Sequence, residues 1–146
     1  KAALVALWKG DDALSQLLIN KETAAPGMIR EGSRSQVASP VYPLITFRLP
    51  DHRPDPRFKP TAAEGHGPSP ITGDVLEVEC WSQQASSAQV EQIADRVQEL
   101  MEAGPIPLSA TSAIFQASCT MRAASLFDPG TKAWFTILRF KLRSHS

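Results

Sequence analysis

Apolar residues recur at three- and four-residue intervals at the start of the chain: Leu4, Leu7 and Trp8, then Leu14, Leu17 and Leu18. That spacing lines one face of a helix. Gly10 interrupts the pattern and Asp11 is placed to cap a restart at Asp12, so the spacing predicts a kinked or divided helix rather than a straight rod. From Asn20 to Pro40 the periodicity fades and small or polar residues dominate, which predicts a connection. Val41 to Leu49 (VYPLITFRL) is rich in β-branched and aromatic residues, with Ile45, Phe47 and Leu49 alternating against Leu44, Thr46 and Arg48. This is a strand pattern. Pro43 cannot donate a ladder hydrogen bond, so the strand lies at a sheet edge or begins after that residue.

Prolines at 50, 54, 56, 60, 68 and 70 exclude a helix or an inner strand over residues 50–70 and predict a long extended loop. Loops of that length inside one domain are uncommon and are usually functional or disordered. Asp74 to Ser82 (DVLEVECWS) then alternates clearly, with Leu76, Val78 and Cys80 on one side and Glu77 and Glu79 on the other. Ser86 and Gln89 have the spacing of a capping box before a helix whose buried stripe is Val90, Ile93, Ala94, Val97, Leu100 and Met101. Gly104, Pro105 and Pro107 end it. Ala113 to Met121 and Trp134 to Leu142 read as two final strands joined across an Asp-Pro-Gly turn. In the last strand Leu138, Phe140 and Leu142 oppose a basic stripe of Arg139, Lys141 and Arg143.

The element order predicts a single α+β domain over residues 1–146: a four-stranded, mainly antiparallel sheet with two helices packed on one face and a long proline-rich loop after the first strand. Glu77 and Glu79 are placed to pair across the ladder with Arg139 and Lys141, worth about 0.2–1 kcal/mol per pair. Two separately solvated faces account for the same residues equally well.

At 146 residues, 42% apolar and 21% charged, the chain is long enough for a core of its own without disulfides or a structural metal. Lys plus Arg and Asp plus Glu are both 15, so no overall basic field holds nucleic acid. No apolar run approaches the roughly 20 residues needed to cross a bilayer, and the N-terminal stretch lacks a signal-peptide layout, so the expected site of synthesis is the cytoplasm. Cys80 and Cys119 fall in apparent strands and read as buried free thiols, with a disulfide open only to neighbouring strands.

The strong catalytic patterns are missing. GHGPSP at 65–70 opens like a phosphate-cradling glycine loop, but its sixth position is Pro70, and Pro68 removes an N–H that phosphate would need. His52 and His66, with Asp51 and Glu64, are the one constellation able to gather around a divalent cation, and loop histidines that bind nothing are far commoner. Both cysteines occupy apolar strand positions that raise a thiol pKa, which disfavours a nucleophile. The expectation is a non-enzymatic protein without a cofactor.

The remaining candidates are contact surfaces. Trp81 lies on the same side of its strand as Glu77 and Glu79, although core packing is the commoner fate of tryptophan, including Trp8 and Trp134. In the proline loop, His52, Arg53, Arg57, Phe58 and Lys59 place aromatic groups among cations, a composition suited to an acidic or mixed partner surface and equally to a solvated loop.

The layout as a whole resembles a known family. An N-terminal LVALWKGDDALSQLL helix, a PLITFRL strand, VLEVECWS leading straight into SSAQVEQIADRVQELM, and a closing WFTILRFKL strand resemble the tail-completion, or tail-terminator, proteins of long-tailed bacteriophages, also called tail-to-head joining proteins. Ile93, Ala94, Val97 and Leu100 reproduce the helix spacing of that family. The long proline loop departs from its shorter connections. The resemblance implies a structural virion protein of the tail or neck, made in the host cytoplasm, whose homohexameric ring ends the tail tube and receives the head connector. Its implied partners are copies of itself, the tail tube protein and the head-completion or stopper protein, with DNA present only as the genome passing through the ring and no membrane. Two other readings stay open: another neck or tube ring protein of the same virion, and a small ligand-binding or hydrolytic domain with the proline loop as lid over His52, Glu64 and His66.

Overall fold

The computed structural model describes residues 2–54, 71–108 and 113–145, with the side chains of 50–54, 71–73 and 145 outside the description. Arg57, Phe58, Lys59, Glu64 and His66 therefore lie outside the described residues, and His52 and Arg53 are described as backbone only.

The N-terminal periodicity folds as two helices, α1 (Ala2–Lys9) and α2 (Asp12–Leu17). Asp11 caps the second, its carboxylate accepting the Leu14 N–H at 2.8 Å. The same carboxylate takes two hydrogen bonds from Arg96, at 2.9 and 2.7 Å, which tie the helix break to the long helix α3 (Ala88–Glu102).

The four-stranded expectation is wrong. Among the described residues the sheet has seven strands: β1 (Met28–Glu31), β2 (Leu44–Pro54), β3 (Ile71–Ser82), β4 (Ile106–Pro107), β5 (Ala113–Arg122), β6 (Leu126–Asp128) and β7 (Ala133–His145). It is curled and mixed, in the order β1-β2-β3-β7-β5-β4 with β6 also on β7, and β1 runs parallel to β2. Three α-helices among the described residues, not two, accompany it. The segment expected to be a connection contains β1, because residues 32–43 supply the crossover length that a parallel pair needs. Gly27 opens that strand: its N–H donates to the Leu18 carbonyl at 2.6 Å, and any Cβ there would overlap the Pro43 carbonyl oxygen.

The proline-rich stretch also begins later than expected. Residues 50–54 continue β2, pairing Asp51 with Val75 and Pro54 with Thr72 after a register shift between Arg48 and Asp51. Beyond Phe47, β1 no longer covers β2. Proline is tolerated at such a bulge and on an uncovered edge, where its missing N–H has no ladder partner to lose.

The three α-helices cover one face of the sheet. Their apolar stripe (Leu4, Trp8, Leu14, Val90, Ile93, Val97) closes on Ile45, Phe47, Leu76, Val78, Leu138 and Phe140, and Trp8 meets Phe47 edge-on at 5.3 Å. The capping box expected of Ser86 and Gln89 does not form. Helix α3 starts at Ala88, and Gln89 turns inward, where its amide donates to the Leu17 and Ile19 carbonyls at 3.2 Å and its oxygen accepts from Ser82. Three elements meet on that one side chain.

The closing turn is tighter than the expected hairpin. Residues 129–132 link β6 to β7, with the Asp128 carboxylate accepting from Gly130 N at 3.2 Å and Thr131 Oγ1 at 2.8 Å.

Candidate functional site

The face of the sheet turned away from the helices is built by strict alternation. On β3, Leu76, Val78 and Cys80 point into the core, which puts Glu77, Glu79 and Trp81 on the other side. Register then brings their neighbours: Glu77 lies opposite Arg48 of β2 and Arg139 of β7. Arg30 of β1, opposite Thr46, extends the row, and Lys141 lies two residues beyond Arg139 on the same side.

Glu77 is the centre of this face. Its side chain is only 6% exposed, yet the carboxylate is held on both sides: Arg48 donates to Oε1 at 3.1 and 2.8 Å, and Arg139 donates to Oε2 at 3.0 Å. Burial pushes its pKa up, but the hydrogen bonds and positive charge of the two guanidinium groups outweigh that and hold it below the ordinary glutamate value. Both arginine side chains remain 50% exposed, so each presents its outer N–H groups to solvent. A neutral-looking cross-strand pattern thus becomes a clamp with one acid inside and two cations outside.

Glu79 does not pair with Lys141. Register sets Glu79 opposite Ile137 and Lys141 opposite Val75, and the Glu79 carboxylate accepts instead from Thr46 at 3.3 Å and Trp81 Nε1 at 3.1 Å. Lys141 is exposed and has no ion-pair partner among the described residues. Trp81 lies on the expected side but is 8% exposed, stacked on Phe135 at 4.6 Å in a second apolar cluster with Tyr42, Leu44 and Ala133. Arg34 donates to the Tyr42 hydroxyl at 2.7 Å and helps line a shallow cleft of about 280 Å³ with Glu79, Trp81 and Asp128.

Arg143, the third member of the basic stripe, donates to Gln116 of β5 at 2.8 Å. The structure thus brings Glu77, Glu79, Trp81, Arg139, Lys141 and Arg143 onto connected strands. Arg48 and Arg30 belong with them, and sequence reading singled out neither. Arg48 was visible as an outward position of β2, but its role depends on register; Arg30 sits on a strand that had no pattern of its own.

The described residues contain no group of three or more His, Cys, Asp or Glu placed to hold a metal ion. Cys80 is fully buried, and burial pushes its thiol up to about 12. Burial raises the Cys119 thiol as well, and its Sγ lies 3.4 Å from the Met121 carbonyl. Both cysteines are free, on β3 and β5, which β7 separates.

No protein-family model matches the sequence, and no curated protein does. Among solved structures, the chain is similar to a chain of the virion of a native gene transfer agent (GTA) particle, with a TM-score of 0.66 and 14% sequence identity, over 99% of this chain and 93% of that one. At that identity the likeness is one of fold.

Proposed function

We propose that this protein is a structural subunit of a phage-like virion, acting as the ring that ends the tail tube and joins it to the head or neck connector. The observation that carries the reading is the fold likeness to a virion chain along nearly the whole of both chains. The tail-terminator role is what the resemblance of the sequence implies within such a virion, and the outer sheet face supplies a charged surface of the kind that repeated contacts use. In this reading the partners are other copies of the chain, the tail tube and the head-completion protein. The ring is a homohexamer, the location is the tail or neck of the virion, and no catalysis or cofactor is involved.

The experiment is assembly. Purified protein, alone and mixed with tail tubes that lack it, is followed by light scattering and negative-stain microscopy. The reading expects six-fold rings in one of the two conditions, seated at one end of the tube. Monomers in both conditions contradict it.

A further inference from the structure

The molecule carries opposite charge on its two sides. On the outer sheet face, Arg30, Arg34, Arg48, Arg139, Lys141 and Arg143 outnumber Glu77, Glu79 and Asp128, and Glu77 is enclosed between two of those arginines. On the helix side, α3 buries Val90, Ile93, Val97 and Met101 and turns Glu91, Asp95, Glu99 and Glu102 to solvent, a single stripe at helical spacing. That stripe is only partly neutralised from within. Arg122 pairs with Asp95 at 2.6 Å and Arg96 with Glu99 at 2.8 Å, but Arg96 also serves Asp11. The two paired carboxylates stay 61% and 67% exposed, and Glu91 and Glu102 have no ion-pair partner among the described residues.

The chain as a whole is neutral, with 15 cations and 15 carboxylates, so these two fields oppose each other rather than adding to a net charge. A neutral molecule with one positive and one negative side is complementary to itself head to tail. A two-fold dimer through either side sets like charge against like. Duplex DNA answers the positive side alone and leaves the negative side repelled.

We infer that the outer sheet face of one copy docks on the α3 stripe of the next, with Arg30, Arg139 and Lys141 meeting Asp95, Glu99 and Glu102. This rests on the structural-subunit reading and names the surface by which its copies join. The contact is heterologous, so it repeats from copy to copy, and in the ring reading proposed above the rotation between successive copies closes. Rim charges of this kind set orientation and encounter rate and are screened by salt.

Two double variants test it. Arg30→Glu with Lys141→Glu reverses the sheet face without touching the Glu77 clamp, and Asp95→Lys with Glu99→Lys reverses the helix stripe at exposed positions. Circular dichroism melts establish that each is folded; where one is not, the single substitutions Lys141→Glu and Glu99→Lys replace the pair. Each variant alone is expected to lose assembly by at least ~10-fold in concentration, a moderate effect for opposed rim charges. An equimolar mixture restores rings, because the two contacts then alternate and both are complementary.

Rings from either variant alone, as readily as from the unmodified protein, overturn the docking assignment and leave the structural-subunit reading standing. An unmodified protein that forms no ring, alone or on tails, overturns both. A sheet-face variant that assembles normally but loses retention of duplex DNA assigns the face to nucleic acid and also overturns the inference.

Discussion

The two faces of the sheet use alternate residues of the same strands for opposite ends. On β3, Leu76, Val78 and Cys80 are fully buried under the helices, while one position along, Glu77 is also nearly buried but is sealed by Arg48 and Arg139 instead of by apolar groups. The apolar side closes on the molecule's own helices. The charged side closes only its middle and leaves the outer halves of both arginines in water. Apolar burial is non-directional and satisfied by any well-packed neighbour, whereas a guanidinium with free N–H groups still specifies where a partner's acceptors must lie. The buried layer under the helices therefore carries stability, and the exposed charges of the outer face are the ones assigned to docking in the inference above.

That division is most easily broken in the core. Phe140 is fully buried between the helices and the sheet, and Phe140→Ala is expected to lower stability by about 3–5 kcal/mol in urea unfolding. If the loss is below about 1 kcal/mol, the helix side does not carry the fold.

Glu77→Ala probes the charged side and is expected to cost less, about 1–3 kcal/mol, because the arginines left behind can turn to water. The pH dependence follows from the same clamp. Glu77 has a folded pKa below its ordinary 4.5, so its contribution is fully present above that value and fades as pH falls toward the folded pKa. The urea midpoint of the unmodified protein should drop through the acid carboxylate range more steeply than that of Glu77→Gln. Parallel curves would remove Glu77 from the account.

Gln89→Ala tests whether a polar group can act on the apolar side, since it strands the Leu17 and Ile19 carbonyls and the Ser82 hydroxyl, for an expected loss of about 1–2 kcal/mol by thermal melting. Lys141→Glu closes the series. It should change stability by no more than about 0.5 kcal/mol, as for an exposed position, while impairing assembly. A large stability loss there would merge the two faces into one role.

How far these faces could be read beforehand varied with how local their causes are. Helix α3 was legible because a 3.6-residue stripe from Val90 to Met101 is bounded by Gly104 and prolines, and the break at Gly10 with its Asp11 cap was legible for the same reason. Its first turn was not: Gln89 serves the end of α2 and β3 instead of a cap, and those groups are distant in sequence. Strand β1 has four residues with only Ile29 buried, so no period is long enough to see; parallel pairing with β2 makes it a strand. The prolines of residues 50–54 pointed to a loop because their tolerance depends on an uncovered edge and a bulge. Alternation also placed Glu77 and Arg139 on one side correctly, while the partner of Glu79 and the second arginine on Glu77 required a register that spacing does not contain.

The most direct test of the claim that the outer face is where copies meet is zero-length carbodiimide cross-linking of the assembled protein, read by mass spectrometry on a mixture of isotopically light and heavy chains. The account predicts mixed-isotope links from Lys141 to Asp95, Glu99 or Glu102, absent at high salt where the assembly dissociates. Mixed-isotope links that join assembled copies elsewhere, with Lys141 and the α3 carboxylates left unlinked, would contradict it.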